Sequence, residues 1–258
     1  MTTLITGASS GIGEAFARKL AAQGHDLLLV ARSEDKLIAL CNELGLNHNI
    51  GAQYFVADLS EPDAPARLLA ETQERNLEID LLINNAGFGS MGEFAALDLD
   101  RELNMIDLNV RSLVELTHLF LQPMRERKSG SIINVASTAS FQPVPFMATY
   151  AATKAFVRSF SEALWEENRP HGIKVMALCP GVTETGFFEA SRMKRPPGRI
   201  VQTSADVVDV ALRGLKRGKS SVISGWPNRI AVETQRVVPR SLVLRVVGAF
   251  MRPYIEKG

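Results

Sequence analysis

Paired cysteines, clustered histidines, long apolar runs and charge of one dominant sign are all missing from this chain. Its two cysteines, Cys41 and Cys179, are far apart and show no C-x-x-C spacing, which argues against a disulfide framework and a thiolate metal site. Both read as packing residues. His25, His48, His118 and His171 are scattered without ligand spacing, and no acidic metal cluster appears, so no metal is expected. No uninterrupted apolar run reaches the ~20 residues of a bilayer span. No basic stretch followed by an apolar one precedes the first strand, so a cytoplasmic protein is expected. A formal net charge of +1 points to neither nucleic acid nor a strongly acidic partner. Internal repeats and low-complexity tracts are absent, and no linker is visible before about Gly225.

The 258 residues, 46% hydrophobic and 22% charged, suit one large α/β domain with a sizeable core. Apolar runs of strand length recur at Thr2–Thr6, Asp26–Ala31, Gln53–Ala57, Asp80–Ile83, Ser131–Val135, Lys174–Cys179 and Ser221–Ile223. Several are apolar throughout, the mark of parallel strands buried on both faces. Helical periodicity fills the gaps. Ile12, Phe16 and Leu20 recur every four residues before Gly24, and Leu37, Leu40, Cys41 and Leu44 follow Ser33 as an expected N-cap, with Gly45 as an expected stop. Ser60 and Asp63 resemble a capping box ahead of Leu68 and Leu69. Alternating strand and helix predicts a doubly wound, seven-stranded parallel sheet flanked by helices, a Rossmann-type α/β fold. The pattern divides the chain into residues 1–224, the nucleotide-binding body, and an extension, 225–258, packing on that body or at an oligomer contact.

The first strand runs into TGASSGIG, residues 6–13, in which Gly7, Gly11 and Gly13 lie between strand and helix. Glycine there lets the backbone approach a pyrophosphate while the helix aims its N–H groups at the anion. The spacing differs from the commoner G-x-G-x-x-G, and glycines at such a place can serve the turn alone. At the end of the second strand, where an acid would bond a ribose 2′-hydroxyl, the chain has Ala31 and Arg32. A guanidinium can grip a 2′-phosphate, which favours NADP(H) over NAD(H). The competing reading of Arg32 is a solvated loop residue, with Glu34 and Asp35 close by.

Tyr150 and Lys154, in the segment YAATK, share one face of a helix. An ammonium held beside a phenol favours the phenolate and brings its pKa down, making it an acid–base for a carbonyl or an alcohol. Most Y-x-x-x-K pairs are ordinary surface pairs, so the context decides. TGASSGIG at 6–13, Asp58 and Leu59 after the third strand, NNAG at 84–87, Asn109 in DLNV, Ser137 in INVAS, Tyr150 with Lys154, and Pro180 and Gly181 followed by Thr183 and Thr185 occur in one order. In that set the chain resembles the short-chain dehydrogenase/reductase family over roughly residues 2–223.

The resemblance implies roles. Tyr150 is expected to be the general acid–base, and Lys154 to lower its pKa and bond the nicotinamide ribose. Ser137 would polarise the substrate oxygen, its competing reading being a strand-end hydroxyl that bonds its own turn. Asn109 would hold a relay water, or simply bridge backbone groups. Cofactor contacts are implied for Gly7, Ser9, Ser10, Gly11, Ile12, Gly13, Arg32, Asp58, Leu59, Asn85, Ala86, Gly87, Tyr150, Lys154, Pro180, Gly181, Thr183 and Thr185. The expected partner is a small carbonyl or alcohol, and the expected assembly a homodimer or homotetramer through helices around residues 104–127 and 149–169. A non-catalytic NADP(H) sensor is the alternative, and it leaves Ser137, Tyr150 and Lys154 together without a purpose. A sugar-nucleotide epimerase or dehydratase needs G-x-x-G-x-x-G, which Gly7, Gly11 and Gly13 do not fit.

Two segments are expected to shape the substrate site. Residues 138–149 carry Phe141, Pro143, Val144, Pro145, Phe146 and Met147, and 182–200 carry Phe187, Phe188 and Met193, with Arg192, Lys194, Arg195 and Arg199. The apolar content suggests an apolar substrate body, and the basic run reads as a solvated lid or a contact for an anionic carrier. In the tail, Arg240, Arg245 and Arg252 interrupt an apolar stretch, with Arg245 and Arg252 expected on one helical face. A pocket wall and an oligomer contact rank there above a membrane-surface helix.

Overall fold

The computed structural model describes residues 1–187, 191 and 201–254. The expectations for Phe188, Arg192, Met193, Lys194, Arg195 and Arg199 lie outside those residues. Seven strands, β1 (Thr2–Thr6), β2 (Asp26–Ala31), β3 (Ala52–Val56), β4 (Ile79–Asn84), β5 (Ser131–Val135), β6 (Lys174–Cys179) and β7 (Ser221–Ile223), form one sheet. Every neighbouring pair is parallel, in the order β3-β2-β1-β4-β5-β6-β7. Five strands match their expected bounds, while β3 starts and ends one residue early and β4 gains one at each end.

The period of two distributes side chains between the faces. Leu27 and Leu29 join a core with Phe16 and Leu20 of α1 (Gly11–Ala21), Leu37 and Leu44 of α2 (Glu34–His48), and Val207 of a later helix, Ser204–Lys216. Leu28 and Val30 enter the opposite core with Leu68 of α3 (Ala64–Glu74) and with Leu116 and Phe120 of a helix at Leu113–Glu126. Cover on both faces explains the uninterrupted apolar strands. The edge strands β3 and β7 are only partly buried.

Between β4 and β5 the chain forms α4 (Leu99–Ile106), a π-helical turn at Asp107–Ser112, and α5 (Leu113–Glu126). Then come α6 (Ala148–Asn168), α7 (Ser204–Lys216), α8 (Trp226–Thr234) and α9 (Arg240–Met251).

Two local expectations are corrected. Gly45 does not end α2; the helix continues to His48 and Asn49 closes it in the left-handed region, its N–H bonding to Gly45 O. A glycine weakens a helix interior by about 1 kcal/mol, whereas termination needs the left-handed turn, and asparagine can supply it. Ser60 forms no capping box, because its hydroxyl donates to Asp58 Oδ1 at 2.6 Å, and α3 begins after Asp63 with no side-chain cap. Ser33 is the N-cap of α2 as expected, in extended conformation and without a side-chain bond.

Where strand order turns between β1 and β4, the connections leave in opposite directions and open a crevice beyond the strands' carboxyl ends.

Candidate active site

The crevice begins at the turn after β1. The Thr6 hydroxyl donates to Ile83 O and accepts from the N–H groups of Asn85 and Ala86. The Asn85 amide donates to Thr6 O and Gly7 O at 2.9 and 3.2 Å. These bonds hold the first turn against the end of β4. Gly7 and Gly11 have φ of 65° and 61°, a region other residues adopt at a cost. At Gly13 a Cβ would stand 2.6 Å from Asn85 Nδ2 and closer still to Gly7 O. Gly13→Ala is therefore expected to lower the melting temperature by about 5 °C, from ~2 kcal/mol of overpacking. Thermal unfolding measures it, and an unchanged midpoint would contradict the contact.

A cavity of about 1060 Å³ extends from this turn. Of the residues singled out in the sequence, Gly7, Ser9, Ser10, Gly11, Ile12, Arg32, Asp58, Leu59, Asn85, Ala86, Gly87, Ser137, Tyr150, Lys154, Pro180, Gly181, Thr183 and Thr185 line it. Gly13 and Asn109 stand behind the wall rather than in it. Arg32 Nη1 lies 3.5 Å from Asp58 Oδ2, with its side chain 72% exposed. Burial pushes the Asp58 carboxyl up, but the Ser60 hydroxyl and amide, with Arg32, outweigh that and hold it below its ordinary value. Arg32 is thus solvated, as its bland reading has it, and also sits on the cavity rim.

At the other end, β5 delivers Ser137 and α6 delivers Tyr150 and Lys154. Ser137 Oγ accepts from Ala139 N at 3.1 Å, capping a 3₁₀ turn at Thr138–Phe141, and its hydroxyl also acts on the Tyr150 phenol. Its turn-capping role and its meeting with the phenol coexist. Tyr150 and Lys154 are buried. The Tyr150 ring packs on Phe187, centroids 5.5 Å apart. Lys154 Nζ donates to Val135 O at 2.8 Å and lies 5.9 Å from the Tyr150 ring centroid.

The electrostatics differ from the expectation. Burial raises the Tyr150 phenol above its ordinary value, and the Ser137 bond only partly opposes it. Lys154, itself desolvated, falls to about 8. The ammonium is turned to the β5 carbonyl and does not bring the phenol down in this arrangement.

Asn109 sits in the π-helical turn, not within a regular helix. Its Oδ1 accepts from Phe88 N at 3.2 Å, and its Nδ2 donates to Phe88 O at 3.0 Å and to Thr153 Oγ1 at 3.2 Å. Thr153 Oγ1 donates in turn to Tyr150 O. The amide therefore ties the segment after β4 to the Tyr150 helix, the backbone-bridging alternative.

Sequence reasoning missed a buried polar ladder: Asn84 Nδ2 donates to Asn134 Oδ1 and Thr117 Oγ1, and Asn134 Nδ2 donates to Ser161 Oγ. Each asparagine follows a pair or run of buried apolar residues, Leu81 to Ile83 on β4 and Ile132 and Ile133 on β5, which is the signal that could have exposed it. Nor could local pattern place Asn228, Val232, Gln235, Val247 and Met251 of the extension on the cavity wall. Met251 packs in one cluster with Tyr150, Val144 and Met147.

The profile of the short chain dehydrogenase family matches residues 1–196. The chain is similar to hydroxysteroid dehydrogenase-like protein 1 of Gallus gallus, 34% identical over 192 residues, 74% of this chain and 58% of that protein. It is similar to the very-long-chain 3-oxoacyl-CoA reductase of Anas platyrhynchos, 36% identical over 194 residues, 73% of this chain and 62% of the relative. The matched part thus spans less than two thirds of either relative. Among solved structures, a short-chain dehydrogenase from Sphingobium yanoikuyae in complex with NADPH superposes with a TM-score of 0.83 at 34% identity, covering 91% of this chain and 93% of that one.

Proposed function

The chain belongs to the short-chain dehydrogenase/reductase family, oxidoreductases that bind a nicotinamide cofactor, and on that premise we propose that it uses NADPH to reduce the carbonyl of a bulky apolar substrate to a secondary alcohol. The convergence of Ser137, Tyr150 and Lys154 on the cavity that starts at the glycine turn carries the reading.

The residues present fit such a cofactor. A turn free of Cβ atoms at Gly7 and Gly11 and the N-terminus of α1 would accept the pyrophosphate. Ser9, Ser10, Ile12, Asp58, Leu59, Asn85, Ala86, Gly87 and Pro180 through Thr185 would line its path. Arg32 would meet a 2′-phosphate, a preference supported by the NADPH complex of the Sphingobium relative. Once bound, the reduced nicotinamide supplies hydride to the carbonyl carbon.

This chain's residues manage the oxygen and its proton. Ser137 donates to the substrate oxygen and fixes it against Tyr150. Tyr150 donates its proton to the oxygen as negative charge develops. Its raised pKa keeps the phenol protonated at neutral pH, which suits reduction. Lys154 would bond the ribose and offer positive charge to the forming phenolate, and Asn109 holds the Tyr150 helix in place. Phe88, Met91, Val144, Met147 and Phe187, with Val247 and Met251 of the extension, form the apolar wall. The extension is therefore assigned to the same catalytic unit as residues 1–224. The printed names of the two relatives, a hydroxysteroid dehydrogenase-like protein and a very-long-chain oxoacyl reductase, accord with a bulky apolar substrate. Exposed Leu103, Ile106 and Phe156 on α4 and α6 support homo-oligomer formation through those helices.

Steady-state reduction of steroid ketones and 3-oxoacyl thioesters with NADPH and with NADH tests the reading. Arg32→Ala is expected to raise KM for NADPH about 10- to 100-fold, the worth of a charge-assisted bond, and to leave KM for NADH unchanged. Equal changes with both cofactors would remove Arg32 as the selector. The pH profile carries a sign. Reduction consumes the phenol proton, so its rate should be level on the acid side and fall at alkaline pH, while alcohol oxidation should rise there. Parallel profiles in the two directions would contradict Tyr150 as the proton donor.

A further inference from the structure

We infer that the face of α9 turned away from the protein binds an anionic lipid bilayer, so that the cavity opens toward the membrane surface. This helix is apolar on both sides. Val247 and Met251 pack inward against the Tyr150 cluster. Leu242 and Val246, one turn apart, are 51% and 60% exposed, and Phe250, a further turn on, is 42% exposed. Val237, just before the helix, is 83% exposed. An outward stripe of this kind gains by burial in the boundary between headgroups and acyl chains.

Charge identifies the occupant. The charged residues of α9 are Arg240 and Arg245, and Arg252 follows at its C-terminal end, still in right-handed helical conformation, where a 3₁₀ turn begins. Residues 225–258 hold six basic and two acidic residues, while the rest of the chain has more acidic than basic ones. The basic excess of a nearly neutral protein thus falls in the sequence segment that carries its exposed apolar helix. Each such residue near an anionic surface favours binding. Self-association through this face would be isologous and would bring its arginines toward one another without acidic partners on the helix. A bilayer of anionic lipid satisfies both features.

Position gives the contact a use. Val246 and Phe250 are exposed and also line the cavity, so its mouth lies at this face. Among the described residues no helix is long and apolar enough to cross a membrane, and the contact is peripheral. Delivery of a bilayer-dissolved carbonyl compound rests on the reductase reading; vesicle binding does not, so the two can fail separately.

The test is co-sedimentation of the full chain with vesicles of phosphatidylcholine and phosphatidylglycerol, and of phosphatidylcholine alone. Binding is expected to the anionic vesicles and to weaken with salt. Arg240→Gln with Arg245→Gln should reduce it about 25-fold. Val237→Ser with Leu242→Ser, side chains outside the cavity lining, should abolish it without changing the melting temperature. Leu46→Ser, at a position 85% exposed on α2, should bind as wild type. The inference is overturned if wild type stays in the supernatant, if neutral vesicles bind it equally, or if the α9 variants sediment unchanged. It is equally overturned if Val237→Ser with Leu242→Ser only halves the mass in solution, since the face then belongs to a second copy.

Discussion

Tyr150→Phe is expected to lower kcat for carbonyl reduction by on the order of 10³- to 10⁴-fold, at the upper end of what a positioned proton donor contributes. That is about 4–5 kcal/mol of transition-state stabilisation. KM for NADPH should change little, because the aromatic ring that packs on Phe187 and the Met251 cluster is kept. The melting temperature should stay within a few degrees, since the variant removes one buried hydroxyl and frees Ser137, which retains its bond from Ala139 N. Single-turnover reduction and thermal unfolding measure the two quantities on the same samples. A rate reduced less than about 10-fold, below the range for a general acid, would assign the proton to another donor.

Lys154→Met should separate stability from activity. The ammonium is buried, with Val135 O as its hydrogen-bond partner, and burial brings its pKa to about 8 from an ordinary 10.5. The unfolded chain holds a proton that the folded chain sheds between those values. Unfolding free energy in the wild type therefore rises with pH through that window, by on the order of 3 kcal/mol. Below pH 8 the full cost of the buried charge is present. The methionine variant should lack this rise. Near pH 7 it should be as stable as wild type or more so, because relief of the charge is partly offset by the orphaned Val135 carbonyl. Its kcat should fall on the order of 10²- to 10³-fold through loss of positive charge beside the reacting phenol. Urea unfolding at pH 7 and pH 10 gives the stability arm. An unchanged pH slope would show that Lys154 is not desolvated, and wild-type kcat would remove it from the mechanism.

What the sequence disclosed follows from which interactions are local. The strands were legible because cover on both faces forces an apolar run, as in Leu27 through Val30. The glycine turn was legible because Gly7 and Gly13 answer to backbone geometry within the same segment. Helix ends were less so: Gly45 and Ser60 carry the right residue types, but Asn49 supplies the left-handed turn and Asp58 engages the serine hydroxyl. The charge state of Tyr150 depends on burial and on where Lys154 points, neither of which four-residue spacing contains. The cavity wall drew on Val232 and Met251, 82 and 101 residues from Tyr150 along the chain, and no periodicity connects such distant positions.

The most direct test of the account follows the reducing hydrogen itself. NADPH carrying deuterium at the reactive ring carbon, in each stereochemical form, would be incubated with the enzyme and an apolar ketone, and the product alcohol analysed by mass spectrometry. One deuterium is expected on the carbinol carbon from one of the two forms, at a rate that collapses in Tyr150→Phe. An enzyme that binds NADPH yet leaves every steroid ketone and 3-oxoacyl thioester unlabelled would contradict it.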